Sequence, residues 1–240
     1  MSLVVVTGAA GGLGSAVCRE LITRNWRVIG IDHNQPRLKA LGQELADHPF
    51  QSILADIDSP EMTNHLRNIL GKDDDVFGFV HVAAKSRGDE ICKLSDEDWN
   101  DSMAINVTAA MVLARLLAPY MVARGKGAIV NVGSPVGIVG ARKPSYAASK
   151  AALAGLTMSL ARNLGPNGVR ANLLLPGAMI TPLTEDWSEE KRRSIASQSF
   201  LKRLCEPREV AQVIGFLLSD AASCITGTVM DCTAGSMFSH

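Results

Sequence analysis

The chain has no excess of either charge: Lys+Arg and Asp+Glu number 24 each among 240 residues, a formal net charge of zero. That excludes attachment to nucleic acid or to an anionic membrane through bulk charge, although a local basic patch stays open. A cysteine framework is also missing. The five cysteines, Cys18, Cys92, Cys205, Cys224 and Cys232, are odd in number, scattered and free of C-x-x-C spacing. They read as free thiols of a reducing compartment, and no metal site is expected. The N-terminal run from Leu3 to Val6 is too short for a signal-peptide core, and no basic segment precedes it. No stretch approaches the apolar length that a bilayer requires. A soluble, cytoplasmic protein is therefore expected. Linkers, repeats and low-complexity segments are absent too, so residues 1–240 read as one domain. Its 47% hydrophobic and 20% charged residues suit an ordinary globular core.

What is present is an alternation of short apolar runs with amphipathic ones. Strands are expected at 3–7, 27–31, 51–55, 76–83, 128–132, 170–175 and 228–232. Helices are expected at 15–25, 36–47, 59–70, 95–124 (with a break near its start), 145–164 and 207–219. Ser59 is placed to cap its helix, with Pro60 at the first position. Residues 178–203 have no clean period and read as a mobile helical flap over a substrate. Strands that alternate with helices throughout predict an α/β fold: a doubly wound parallel sheet of the Rossmann type, about seven strands with helices on both faces.

Two stretches carry chemistry. In Ser145-Tyr146-Ala147-Ala148-Ser149-Lys150, Tyr146 and Lys150 fall four residues apart on one helix face. An unperturbed phenol titrates at about 10, and a neighbouring ammonium favours phenolate. The pair is thus a candidate proton acceptor, although many helices carry a tyrosine and a lysine by chance. The other stretch is Thr7-Gly8-Ala9-Ala10-Gly11-Gly12-Leu13-Gly14, at the first strand-to-helix turn. Backbone N–H groups and a helix N-terminus there suit a pyrophosphate, and glycines allow its close approach. Asp32, at the end of the second strand, is suited to accept from adenosine ribose hydroxyls and to repel a 2′-phosphate. That favours NAD over NADP. A turn aspartate is the competing reading of Asp32, and Arg37 nearby could neutralise a 2′-phosphate.

With these motifs the chain resembles the short-chain dehydrogenase/reductase family, in its compact single-domain branch, over nearly its whole length. The T-G-x-x-x-G-x-G turn is Thr7, Gly8, Gly12 and Gly14, and Y-x-x-x-K is Tyr146 and Lys150 with Ser134 upstream. The helix asparagine is Asn106, and P-G-x-x-x-T is Pro176, Gly177 and Thr181. Ile225-Thr226-Gly227 followed by Asp231 matches the closing strand. The resemblance implies that Tyr146 is the general acid/base and that Ser134 holds the substrate oxygen. It implies that Lys150 lowers the Tyr146 pKa and binds the nicotinamide ribose, while Asn106 holds a relay water. Cofactor contacts are implied for Gly8, Gly12, Leu13, Gly14, Asp32, Asp56 (against the adenine), Ile57, Ala83, Tyr146, Lys150, Pro176, Gly177 and Thr181. Substrate is expected against Ser134, Val136, Tyr146, Met179 and Trp187.

Taken alone, Ser134 could be a turn residue, Asn106 could bond backbone, and Asp56 could cap a helix. The resemblance also implies a homotetramer or a homodimer, acting on a small alcohol or ketone. Two departures stand out. His81-Val82-Ala83-Ala84 replaces Asn-Asn-Ala-Gly, so a buried His81 needs another partner and Ala84 needs an unstrained φ. The Ser134–Tyr146 spacing is one residue short, which the loop 137–144 would absorb. An NADP-dependent reductase of 3-oxoacyl thioesters, a non-catalytic dinucleotide-binding sensor or scaffold, and an isomerase or dehydratase using the same tyrosine are the alternatives.

Overall fold

The first strand, β1 (Leu3–Thr7), is buried over its whole length because both faces of the sheet are covered. Its side chains alternate: Val4 and Val6 enter one apolar cluster, Leu3 and Val5 the other. The computed structural model describes residues 1–71, 74–182 and 184–238. Six further strands follow, β2 (Arg27–Asp32), β3 (Phe50–Leu54), β4 (Val76–His81), β5 (Gly127–Val132), β6 (Val169–Pro176) and β7 (Val229–Cys232). They form one sheet in the order β3-β2-β1-β4-β5-β6-β7, and every pairing is parallel. The expected doubly wound sheet is the observed one. Its order reverses between β1 and β4, which opens a crevice at their carboxyl ends.

Nine α-helical segments connect the strands among the described residues: α1 (Gly12–Thr23), α2 (Gln35–Glu44), α3 (Pro60–Ile69), α4 (Asp96–Met103), α5 (Ala109–Arg124), α6 (Val136–Val139), α7 (Pro144–Leu164), α8 (Glu189–Gln198) and α9 (Pro207–Leu218). Apolar residues of α1, α2 and α9 cover one face, and those of α3, α5 and α7 the other. Ser59 caps α3 as its sequence implies, its hydroxyl accepting from Met62 N–H at 3.1 Å.

Several boundaries differ from expectation for local reasons. Helix α1 begins at Gly12 rather than Ser15, because the glycine turn itself forms the first helical turn. Strand β4 ends at His81 rather than Ala83: the Thr7 hydroxyl accepts from the Val82 and Ala83 N–H groups, drawing them out of the ladder. The break expected near the start of the 95–124 helix is a π turn, Ala104–Thr108, between α4 and α5. Contrary to expectation, residues 96–124 are long and apolar enough to cross a membrane by length and composition. Here their apolar stripe, Leu113, Leu117 and Met121, packs with Ile29, Phe79 and Ile129 of the sheet. That packing accounts for the hydrophobicity. Leu117→Ala should lower the unfolding free energy by about 2–5 kcal/mol, read as a lower urea midpoint with an unchanged slope.

Candidate active site

The glycine turn is shaped by backbone contacts that leave no room for side chains. Gly8 has φ +66°, and a Cβ there would lie 2.8 Å from the Ala83 backbone. At Gly14 a Cβ would lie 1.9 Å from the Gly8 carbonyl oxygen. The chain therefore folds onto itself between β1 and α1. The first amides of α1, on Gly12, Leu13 and Gly14, have no carbonyl one turn back and point out of the helix end. The Leu13 side chain turns the other way, into the core. Asp32, closing β2, is anchored beside this turn: its carboxylate accepts from Ala10 N–H at 2.9 Å and from Asn34 N–H at 2.8 Å. It is 8% exposed, which leaves an edge of the carboxylate at the crevice. Asp56 is exposed just past β3, and Ile57 beside it packs against the core.

Across the crevice, α7 brings Tyr146 and Lys150 to the ends of β4 and β5. Lys150 is buried, donates from Nζ to the Val132 carbonyl at 2.8 Å, and lies 5.8 Å from the centre of the Tyr146 ring. Burial pushes its pKa down from 10.5 to about 7. Tyr146 departs from the role implied for its neighbour. Its pKa is raised by burial and pulled back by a hydrogen bond with Ser134, not by the ammonium. Lys150 spends its charge on a carbonyl and is itself destabilised by burial, so this state shows no phenol depressed by Lys150.

Asn106 lies in the π turn, fully buried. Its Oδ1 accepts from Lys85 N–H at 2.7 Å, while Nδ2 donates to the Lys85 carbonyl at 3.0 Å and to Ser149 Oγ at 2.8 Å. The carboxamide is committed to these partners and so braces the loop after β4. Ser149 carries the brace onward, donating to the Tyr146 carbonyl at 2.8 Å. Sequence reasoning missed Ser149, although its place three residues after Tyr146 sets it on the same helix face. It also missed the Lys85–Asp101 ion pair beside this loop.

The shortened segment between Ser134 and Tyr146 contains α6, whose Val136 is half-buried. Ala84 needs no strain: positive φ among the described non-glycine residues occurs only at Asn25, Lys202 and Ala234. Pro176 closes β6 opposite Cys232, and Gly177 donates its N–H to the Cys232 carbonyl at 2.9 Å. The flap begins on the glycine turn, since a Cβ on Gly12 would lie 2.7 Å from the Thr181 side chain. Of the expected substrate-lining residues, Met179 is half-buried and packs in part against the main core cluster. Trp187 lies under the Lys191 ammonium, 4.7 Å from Nζ to the ring centre. Among the described residues no cluster of acidic, histidine or cysteine side chains could hold a metal ion.

Known proteins carry the same pattern. The family profile described as Enoyl-(Acyl carrier protein) reductase matches residues 8–236. The 3-oxoacyl-(acyl-carrier-protein) reductase of Salmonella typhimurium is 31% identical over 234 residues, covering 97% of this chain and 96% of that protein. Its counterpart in Thermotoga maritima is 32% identical over 235 residues, 96% of each chain. Among solved structures, an oxidoreductase of the short chain dehydrogenase/reductase family from Burkholderia thailandensis is similar with a TM-score of 0.91. It is 30% identical and covers 98% of this chain and 92% of its own. A variant of actinorhodin polyketide ketoreductase with NADPH is similar with a TM-score of 0.92 and 26% identity, covering 99% of this chain and 97% of that one.

The buried amine has a measurable signature. Between the folded value of about 7 and the ordinary 10.5, the unfolded chain binds more protons than the folded one at this group. Its burial penalty is therefore full below about pH 7 and fades as pH rises through that window. Lys150→Met should raise the melting temperature by about 3 °C or more below pH 7, with the gain disappearing towards pH 10.5. Thermal melts across pH measure it.

Proposed function

Because the chain belongs to the short-chain dehydrogenase/reductase family of oxidoreductases, we propose that it interconverts a secondary alcohol and a ketone and prefers NAD to NADP. The observation that carries this reading is the phenol of Tyr146, its burial-raised pKa pulled down by Ser134, one helical turn from the buried Lys150 and across the crevice from the glycine turn. A nicotinamide dinucleotide fits the residues present. The side-chain-free cradle at Gly8, Gly12 and Gly14 suits a pyrophosphate, and Asp32 suits ribose hydroxyls. Asp56 and Ile57 would border the adenine, Ala83 the ribose and nicotinamide side, and Pro176, Gly177 and Thr181 the nicotinamide. When bound, that group supplies or accepts the hydride.

The chain's own residues handle the proton and the oxygen. Ser134 holds the substrate oxygen and stabilises charge that develops on it. Tyr146 gives a proton to that oxygen in reduction and takes it in oxidation. Lys150, poised near neutral pH, restores the Tyr146 proton and holds the nicotinamide ribose. Asn106, by bracing the π turn, keeps that helix in register with Ser149 and Tyr146. Substrate would lie between Ser134, Tyr146, Val136 and the flap, with Trp187 its aromatic wall.

Asp32 supports the preference for NAD, since a 2′-phosphate would meet its carboxylate. Arg37, the next arginine along the chain, has its guanidinium 3.7 Å from Glu185. A cytoplasmic homotetramer or homodimer is the assembly the family likeness suggests. The bacterial relatives, 3-oxoacyl-(acyl-carrier-protein) reductases, together with the polyketide ketoreductase solved with NADPH, favour one second reading, an NADP-dependent reductase of 3-oxoacyl thioesters.

The deciding assay follows the absorbance of reduced nicotinamide with NAD and a panel of cyclic, aryl, sugar, steroid and 3-hydroxyacyl alcohols. Tyr146→Phe should lower kcat by about 100-fold or more on whichever alcohol turns over. Equal rates in the two proteins would remove Tyr146 as the proton carrier. Binding of dinucleotide without turnover of any alcohol or ketone would favour a sensor. For cofactor choice, Asp32→Ala should shift the ratio of kcat/KM values towards NADP by about tenfold or more. A wild type that already prefers NADPH would favour the thioester reductase.

A further inference from the structure

His81 closes β4 with its ring fully buried, and the proton chemistry above does not use it. Its Nδ1 lies 3.0 Å from Thr7 Oγ1. That hydroxyl also accepts from Val82 N–H at 3.2 Å and from Ala83 N–H at 3.3 Å. A hydroxyl has two lone pairs and one proton to give. With both lone pairs taken, the proton goes to His81, so Nδ1 is an acceptor. The ring of a neutral histidine then carries its own hydrogen on Nε2.

The Nε2 edge faces a different element. It has no partner of good hydrogen-bond geometry among the described residues, and it lies beside the backbone carbonyls of Ile105 and Asn106 in the π turn. Burial and the neighbouring Lys150 ammonium hold the pKa of the ring down at about 3, so it stays neutral. A buried donor left short of a good partner is destabilising, a cost that an apolar side chain of similar size would avoid. Wide π turns of this kind gather at functional sites, and this one carries Asn106.

We propose that His81 is a positioning residue: held through Nδ1 by the Thr7 hydroxyl, at the mouth of the glycine turn, it sets its Nε2–H edge against the π turn that carries Asn106. One buried side chain thereby sets the dinucleotide cradle and the Tyr146–Lys150 site in register. The inference rests on the dinucleotide-dependent reading above, but two of its measurements need no turnover.

Long-range proton–nitrogen NMR correlations of the cofactor-free protein, assigned by difference from His81→Asn, report the tautomer. The Nε2–H form is expected, still neutral at about pH 5, where an unperturbed histidine is mostly charged. His81→Leu keeps the bulk and removes both nitrogens. It should weaken NAD binding about tenfold by calorimetry and lower kcat by a similar factor, with substrate KM little changed. His81→Asn, whose amide can accept from Thr7 and donate to the π turn, should return both to within about threefold of wild type. An Nδ1–H tautomer, or a folded Leu variant with wild-type NAD affinity, overturns the proposal. Should the Leu variant not fold, a folded Asn variant that binds NAD about tenfold more weakly than wild type overturns it equally. Failure of Tyr146→Phe to slow turnover would strike the proton chemistry alone and leave the tautomer and affinity results standing.

Discussion

A lysine ammonium held out of water at the end of β5 is the constraint that the rest of this site answers to. Removing such a charge from solvent is costly, and the ammonium donates to the Val132 carbonyl at 2.8 Å. The cost shows as a pKa moved down to about 7. An amine poised there is a poor element of a core and a good element of a proton path. The surroundings are arranged to keep it. Gly137 lets α6 rest on the α7 backbone at Lys150, since a Cβ there would lie 2.7 Å from the Lys150 carbonyl carbon. The sheet supplies the carbonyl, and helix α7 fixes the stem.

The same economy governs the neighbouring polar groups. Asn106, Ser149 and the Lys85 backbone form a closed set of hydrogen bonds that links a π turn, a loop and the helix bearing Tyr146. Satisfied networks of this kind rigidify a site. The tyrosine itself is exposed to two opposed influences, burial that raises its pKa and Ser134 that lowers it. In this state burial is the larger. The poise of the phenol is thus set by solvent exclusion as much as by any single partner.

The parts of the fold and site written in local spacing were legible in the sequence. The run Leu3–Thr7 followed by glycines fixed the first strand and the phosphate-sized turn. Tyr146 and Lys150 declared a shared helix face, and Asp32 announced the end of β2. What depended on contacts between distant segments was not legible. Residues 101–108 contain neither glycine nor proline, so nothing local marks the π turn, which is seated against the loop after β4 through the Asn106 bonds to Lys85. Helix α6 is a single turn too short to show a period. Met179 reads as a pocket residue from its place in the flap, whereas the pairing of its backbone with Cys205 and its partial packing on the core join distant segments that spacing does not reveal. The expected depression of the Tyr146 phenol failed for a related reason, because spacing reveals a nearby cation but not how deeply both groups are buried.

The contact between Gly12 and Thr181 has a mechanical meaning. The root of the flap rests on the very turn whose amides face the crevice, so whatever lies along that turn shares a surface with the segment that walls the second compartment. A shift of the turn therefore reaches the root of that segment through one direct contact, backbone against the Thr181 side chain, without passing through the core. Movement of either segment is tied to movement of the other by packing alone.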